Sequence, residues 1–197
     1  MKSQDLNYPI VSKHHVCWGQ DGVTYYGAFF SAIVIVDVFS FCTTVDIALS
    51  KECSIIPTSL KDEEQLLALA ENQGAILAKK RNEFGITLSP SSMRNLNPKQ
   101  TILLPSPNGS TLMDVASHFE KPVFAGCFRN ANVLSEFLNL KKFFPVLFVA
   151  AGERFPNAML RPSLEDYWWV AFLRILTEIR RSKLRIQSNL LSLLLAI

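Results

Sequence analysis

The sequence lacks a CxxC pair, a low-complexity tract, a long apolar run and a basic region on most of its length, and each absence excludes a class. Its four cysteines, Cys17, Cys42, Cys53 and Cys127, are widely spaced. That spacing argues against a structural zinc site and reads as buried, reduced thiols. The three histidines, His14, His15 and His118, have no metal spacing and read as surface residues. The longest apolar runs, such as Ala32–Val36 and Leu193–Ile197, fall far short of the ~18–20 residues of a membrane span. A secretory signal is not visible either, because His14, His15, Gln20 and Asp21 stand where its apolar core would be. Net charge is +3, yet residues 171–197 alone carry +4 (Arg174, Arg180, Arg181, Lys183 and Arg185 against Glu178). The rest is close to neutral, which is not the footprint of a nucleic-acid binder. Those five cations read as the solvated face of a terminal helix. The expectation is one cytoplasmic domain over 1–197, with neither nucleic acid nor membrane as a partner.

What is present is a 197-residue chain, 49% hydrophobic, in which short apolar runs alternate with helix-like segments. At this length it can bury a sizeable core without staples. Ala32-Ile-Val-Ile-Val36 reads as a strand buried on both faces: continuous, β-branched and stopped by Asp37. Further strands are predicted at 54–57, 75–78, 101–104, 122–125 and 146–150. Helices are predicted from a Ser59–Asp62 capping box to about residue 72, over about 110–119 and over about 131–140. A long helix is expected to open at Arg161-Pro-Ser163, with Glu165 and Asp166 near its positive end. Strands alternating with helices, and apolar all round, predict a three-layer α/β/α fold with a mostly parallel or mixed central sheet. The irregular stretch from Lys80 to Gln100 is long enough to be functional.

Ligands of open α/β sheets gather at the carboxyl ends of the strands, so the residues that follow each run are the candidates. Asp37, Ser40, Thr43 and Thr44 follow the first. Lys79-Lys-Arg81-Asn82 follows 75–78. Pro105-Ser-Pro-Asn108-Gly109-Ser110-Thr111 follows 101–104, Gly126-Cys-Phe-Arg129-Asn130 follows 122–125, and Ala151-Gly-Glu153-Arg154 follows 146–150. Together they supply carboxylates, cations and small polar residues at helix starts, the equipment for a divalent metal and a phosphate-like anion. Singly, each could do no more than cap a helix or close a turn. The Ser106–Ser110 stretch is not a P-loop, because no Gly-Lys-Ser/Thr follows. Cys127 and Arg129 are too close together for the Cys-x5-Arg loop of cysteine phosphatases. Asp37-Val-Phe39 lacks the second Asp of the haloacid-dehalogenase phosphatases.

At these residues the sequence resembles the 2-phosphosulfolactate phosphatase family. The matching stretches are Val36-Asp-Val-Phe-Ser-Phe-Cys-Thr-Thr44, Leu88-Ser-Pro90, Leu104-Pro-Ser-Pro-Asn-Gly-Ser-Thr111, Ala125-Gly-Cys-Phe-Arg-Asn-Ala131, Ala150-Ala-Gly-Glu-Arg154 and Arg161-Pro-Ser-Leu-Glu-Asp166, in the family's order. The resemblance implies an α/β/α fold and a Mg²⁺-dependent acid phosphatase that takes phosphate from 2-phospho-3-sulfolactate, in coenzyme M biosynthesis. Ser40 stands where the family often has Arg, and Lys80 where it often has Glu. The family usually runs several tens of residues further, and the apolar end Leu190–Ile197 predicts a shortened protein or a contact between copies.

The resulting expectation gives Asp37, Glu153 and Arg154 the catalytic roles, and Asp37, Glu153 and Asp166 the Mg²⁺. Thr43, Thr44, Arg81, Asn108, Gly109, Ser110, Arg129 and Asn130 would bind a small phosphorylated acid. Attack by a metal-activated water and attack by Asp37 itself both remain open. The rival expectation is a non-catalytic anion-binding or scaffold protein that kept the fold; Ser40, Lys80 and the short C-terminus favour it.

Overall fold

The structure is a computed structural model that describes residues 14–194, with side chains described as far as Leu184. Residues 195–197 and every side chain from Arg185 onward, and with them the expectations for the apolar end 190–197, lie outside what is described. Four parallel strands stand side by side: His15–Trp18 (β1), Val146–Ala150 (β7), Ala32–Val36 (β2) and Val123–Ala125 (β6). A second parallel sheet holds Ser54–Thr58 (β3), Thr101–Pro105 (β5) and Ile76–Leu77 (β4), with β5 in the middle. A small antiparallel hairpin pairs Glu153–Arg154 (β8) with Leu160–Arg161 (β9). The helices are Gly19–Tyr26 (α1), Phe41–Ser50 (α2), Glu63–Asn72 (α3), Gly109–Ser117 (α4), Ala131–Leu140 (α5) and Leu164–Leu194 (α6).

Layering follows from the two-residue period of the strands. In β2, Val34 and Val36 meet Leu134, Leu138 and Leu173 of α5 and α6. Ile33 and Ile35 of the same strand point the other way, into a cluster with Leu112 and Phe30. Every residue of β2 and β7 is fully buried, so these strands carry apolar side chains on both faces. The second sheet repeats the arrangement: Ile102 and Leu104 pack with Phe41 and Cys42 of α2, and Leu103 with Leu66 and Ala70 of α3. Each large aliphatic side chain in these layers contributes roughly 1.5–3 kcal/mol of burial. The three-layer α/β/α class is as expected, with its sheet divided in two. Between the halves, β3 and β6 face a common apolar groove of about 410 Å³.

Some local expectations are corrected. Strand β1, helices α1 and α2 and the β8–β9 hairpin have no counterpart in the predicted elements. Asp62, not Ser59, caps α3: its carboxylate accepts the Gln65 N–H, while the Ser59 hydroxyl donates to Asp114. Helix α6 begins at Leu164 because Arg161 is held in β9 opposite Glu153. His14 is buried rather than on the surface; its Nδ1 accepts the Val146 N–H at 3.0 Å and its ring meets Phe144 and Phe148 edge-on. The cations of α6 are not all solvated: Arg180 donates to Asn132, and the Arg181 guanidinium lies over the Phe144 ring. All four cysteines are buried and unpaired. Among the described residues no helix is long and apolar enough to cross a membrane.

Candidate active site

Asp37 stands where β2 ends and the chain turns into α2. Its Oδ1 accepts the Phe41 N–H at 3.3 Å, at the start of α2, and its Oδ2 accepts the Gly109 N–H at 3.0 Å, at the start of α4. Two helix N-termini thus favour its charged form. Burial outweighs them, and with the nearby carboxylates of Asp166 and Glu153 pushes the Asp37 carboxyl up to about 7. Gly109 is required here by close approach: a Cβ at that position would run into the Phe41 ring.

A second carboxylate ties the loops together. Asp166, in the first turn of α6, is only 5% exposed. Its Oδ1 accepts the Val38 N–H at 2.8 Å and its Oδ2 the Gly152 N–H at 2.9 Å. One side chain therefore links the loop after β2, which carries Asp37, to the loop after β7, which leads directly into Glu153 at the start of β8. Gly152 has φ +64°, a left-handed conformation that suits glycine. Burial raises the Asp166 carboxyl above its usual range.

In front of Asp37 lies a cavity of about 180 Å³. Asp37, Ser40, Arg81, Asn108 and Glu153 line it, with Phe39, Phe41, Leu88, Ser106 and Pro107 completing the wall. Asn108 donates from Nδ2 to Glu153 Oε2 at 3.1 Å, which fixes one face of that carboxylate. Arg81 donates to the Phe39 carbonyl and to the Ser40 hydroxyl, both at 3.2 Å. Thr44 and Ser40 both donate to the Leu88 carbonyl, at 2.9 and 3.3 Å, pinning the long irregular segment to α2.

The structure thus gathers Asp37, Arg81, Asn108 and Glu153 at one cavity, with Gly109 directly behind Asp37. Other candidate residues are placed differently. Thr43 donates to the Val38 carbonyl and the buried Ser110 to the Leu104 carbonyl. Arg129 pairs with Asp46 at 2.7 Å. Asn130 bridges Cys127 and Ala125 and lines the apolar groove instead. Arg154 bonds the Ala158 carbonyl within the β8–β9 hairpin. Phe39, Phe41 and Leu88 also line the cavity and were not among the candidates, although all three lie in the stretches that carry the resemblance.

No curated protein matches the chain. A family model described as 2-phosphosulpholactate phosphatase matches residues 24–185, and every residue lining the cavity lies within that span. That match covers most of the chain and coincides with an α/β/α fold, and on it the chain belongs to the 2-phosphosulpholactate phosphatase family.

Proposed function

We propose that the chain is a Mg²⁺-dependent phosphatase for a small acidic phosphomonoester, with 2-phospho-3-sulfolactate as the first substrate to test. The observation that carries this reading is the buried Asp37 at two helix N-termini, sharing a small cavity with Glu153, Asn108 and Arg81. A binding scaffold has no need to hold a carboxyl of this kind in a pocket. The donor set also fits the metal. Among the described residues no three Asp, Glu, His or Cys side chains form a ready metal cage. Mg²⁺ does not need one: in phosphoryl-transfer sites it takes one or two carboxylates and fills its shell with water and phosphate oxygens. Asp37, held near 7 by burial and neighbouring carboxylates, marks a site with an excess of negative charge that a cation relieves.

Asp37 and Glu153 would hold the ion. When bound, Mg²⁺ would neutralise phosphate charge and lower the pKa of a water. Arg81, at the mouth of the cavity, would take phosphate oxygens and the charge that spreads over them in the transition state. Asn108 orients Glu153, and the Gly109 and Phe41 N–H groups orient Asp37. Asp166 acts as a positioning residue: unlike Asp37 and Glu153 it does not line the cavity, and its two oxygens hold the Val38 and Gly152 N–H groups. Both Asp37 oxygens also accept backbone N–H groups, which favours direct attack by water over attack by Asp37. A P–O bond to water forms, the ester P–O bond breaks, and the proton ends on the leaving hydroxyl oxygen.

The test is inorganic phosphate release from 2-phosphosulfolactate and phospholactate, with Mg²⁺ or with EDTA. Release that depends on Mg²⁺ is expected. A folded protein that Mg²⁺ stabilises yet that releases nothing would instead leave the non-catalytic binder standing. The stereochemical course with an isotopically chiral phosphorothioate ester separates the routes: direct attack by water inverts the configuration at phosphorus, whereas two displacements through Asp37 retain it.

A further inference from the structure

A second cavity, of about 270 Å³, adjoins the first. Leu88, Ser106 and Pro107 line both, so these three residues form the wall the two have in common. Three lysines stand around the second cavity, Lys61, Lys79 and Lys80, and no acidic side chain lines it. None of the three is in a salt bridge among the described residues. Acidic neighbours exist but are turned to other tasks: Asp62 caps α3, and Asp114 accepts the Ser59 hydroxyl. Between the lysines the wall is apolar, built by Leu60, Leu66 and Ala78. The first cavity supplies one cation, Arg81, and two carboxylates, Asp37 and Glu153. Positive charge thus increases away from the reacting centre, across a hydrocarbon surface.

Resting on the phosphatase reading, we propose that this second cavity is a specificity site for a second anionic group of the substrate, joined to the phosphorylated carbon by a hydrocarbon spacer. The substrate class is then a phosphorylated hydroxy acid with a remote carboxylate, sulfonate or phosphate. A molecule as short as phospholactate fills the first cavity only. Three ammonium groups around an apolar pocket suit such an end group. The charge meets several donors while the spacer covers Leu60 and Leu66. The two aspects of the site are separable, because none of the three lysines lines the first cavity.

The experiment compares esters of increasing length, 2-phosphooxy-succinate, -glutarate, -adipate and -suberate. Each is used as the distal acid and as the distal amide, with phospholactate as the reference. The wild-type chain should show a KM for the longer distal acids about tenfold below that of their amides, the effect of one charge-assisted hydrogen bond. Raised salt should shrink that ratio. In the Lys61→Ala/Lys79→Ala/Lys80→Ala triple variant the ratio should fall to about one, whereas Lys51→Ala, on the far end of α2, should keep it. Equal KM for acid and amide in the wild-type chain would overturn the proposal. So would a ratio that survives the triple variant. Calorimetric binding of 2-hydroxyadipate to the same proteins makes the test independent of turnover. If no ester is hydrolysed but the triple variant alone loses this binding, the lysine site stands and the phosphatase reading falls. Binding of equal strength in both proteins removes the lysine site.

Discussion

Replacing Asp166 by alanine tests whether that carboxylate is a backbone clamp. It accepts the N–H groups of Val38 and Gly152 at 2.8 and 2.9 Å while 5% exposed, so removal leaves two N–H groups without their acceptor. Hydrogen bonds to a charged group are worth about 1.5–3 kcal/mol each, a gross loss of about 3–6 kcal/mol. Part of this is offset, because burial disfavours the charged Asp166 and its charge in turn disfavours that of Asp37. A net loss of about 2–4 kcal/mol remains, a large share of a stability of ~5–15 kcal/mol. For a chain of this size it lowers Tm by about 5–15 °C. Urea unfolding without Mg²⁺, with the m-value checked for constancy, measures it directly. The absence of metal matters: a clamp costs stability before any ion is added, whereas a metal ligand costs little until then. An Asp166→Ala protein within about 0.5 kcal/mol of wild type in EDTA, but with weakened Mg²⁺ binding, would refute the clamp and make Asp166 a ligand.

Three other substitutions probe separate parts of the structure. His14 is buried with Nδ1 accepting a backbone N–H, and burial together with Arg181 and Arg174 lowers its pKa to about 4. Its neutral form is the folded one. Stability is therefore full above the unfolded pKa of ~6.5 and is lost as pH falls toward 4, by about 3 kcal/mol in all. His15 is shifted in the same direction, so the difference between wild type and His14→Asn in urea melts from pH 7 to pH 4 isolates the His14 share. Gly109→Ala drives a methyl into the Phe41 ring and moves the N–H that holds Asp37. Overpacking of about 1–3 kcal/mol is expected in chemical denaturation, together with a lower kcat. Arg81→Ala removes the cavity's own cation and should raise KM for every phosphoester by about tenfold to a hundredfold; an unchanged KM would remove Arg81 from phosphate binding.

Much of the fold was legible because β2 and β7 are buried on both faces and therefore read as unbroken apolar runs. Strand β1 was not, since His15-Val-Cys-Trp18 is short, lies at the sheet edge and has one fully buried residue. The division of the sheet was not legible either. Which strands pair is decided by contacts far apart in sequence, and β4 and β6 are two and three residues long. The start of α6 depended on the same kind of contact, the pairing of Arg161 with Glu153. At the candidate cavity, Asp37, Arg81, Asn108 and Glu153 were legible because each lies shortly after a strand of the parallel sheets. Thr44, Ser110, Arg129 and Asn130 satisfied the same rule, and none of them lines the cavity; they bond backbone groups or, for Arg129, pair with Asp46. A polar residue after a strand looks alike whether it ties a loop or faces a ligand. Only the neighbours, such as Asp46 beside Arg129, tell them apart. The clamp formed by Asp166 spans 128 residues in one of its bonds and had no local signature.

The central claim is that Asp37 and its cavity hydrolyse a phosphomonoester. The most direct measurement is phosphate release from 2-phosphosulfolactate in saturating Mg²⁺ by the wild-type chain and by Asp37→Asn, which keeps the size of the side chain. The account predicts turnover by the first and a loss of at least about a thousandfold in the second, near 4 kcal/mol of barrier, with both proteins folded. Equal rates, or Mg²⁺-dependent turnover fully retained by Asp37→Asn, would contradict it.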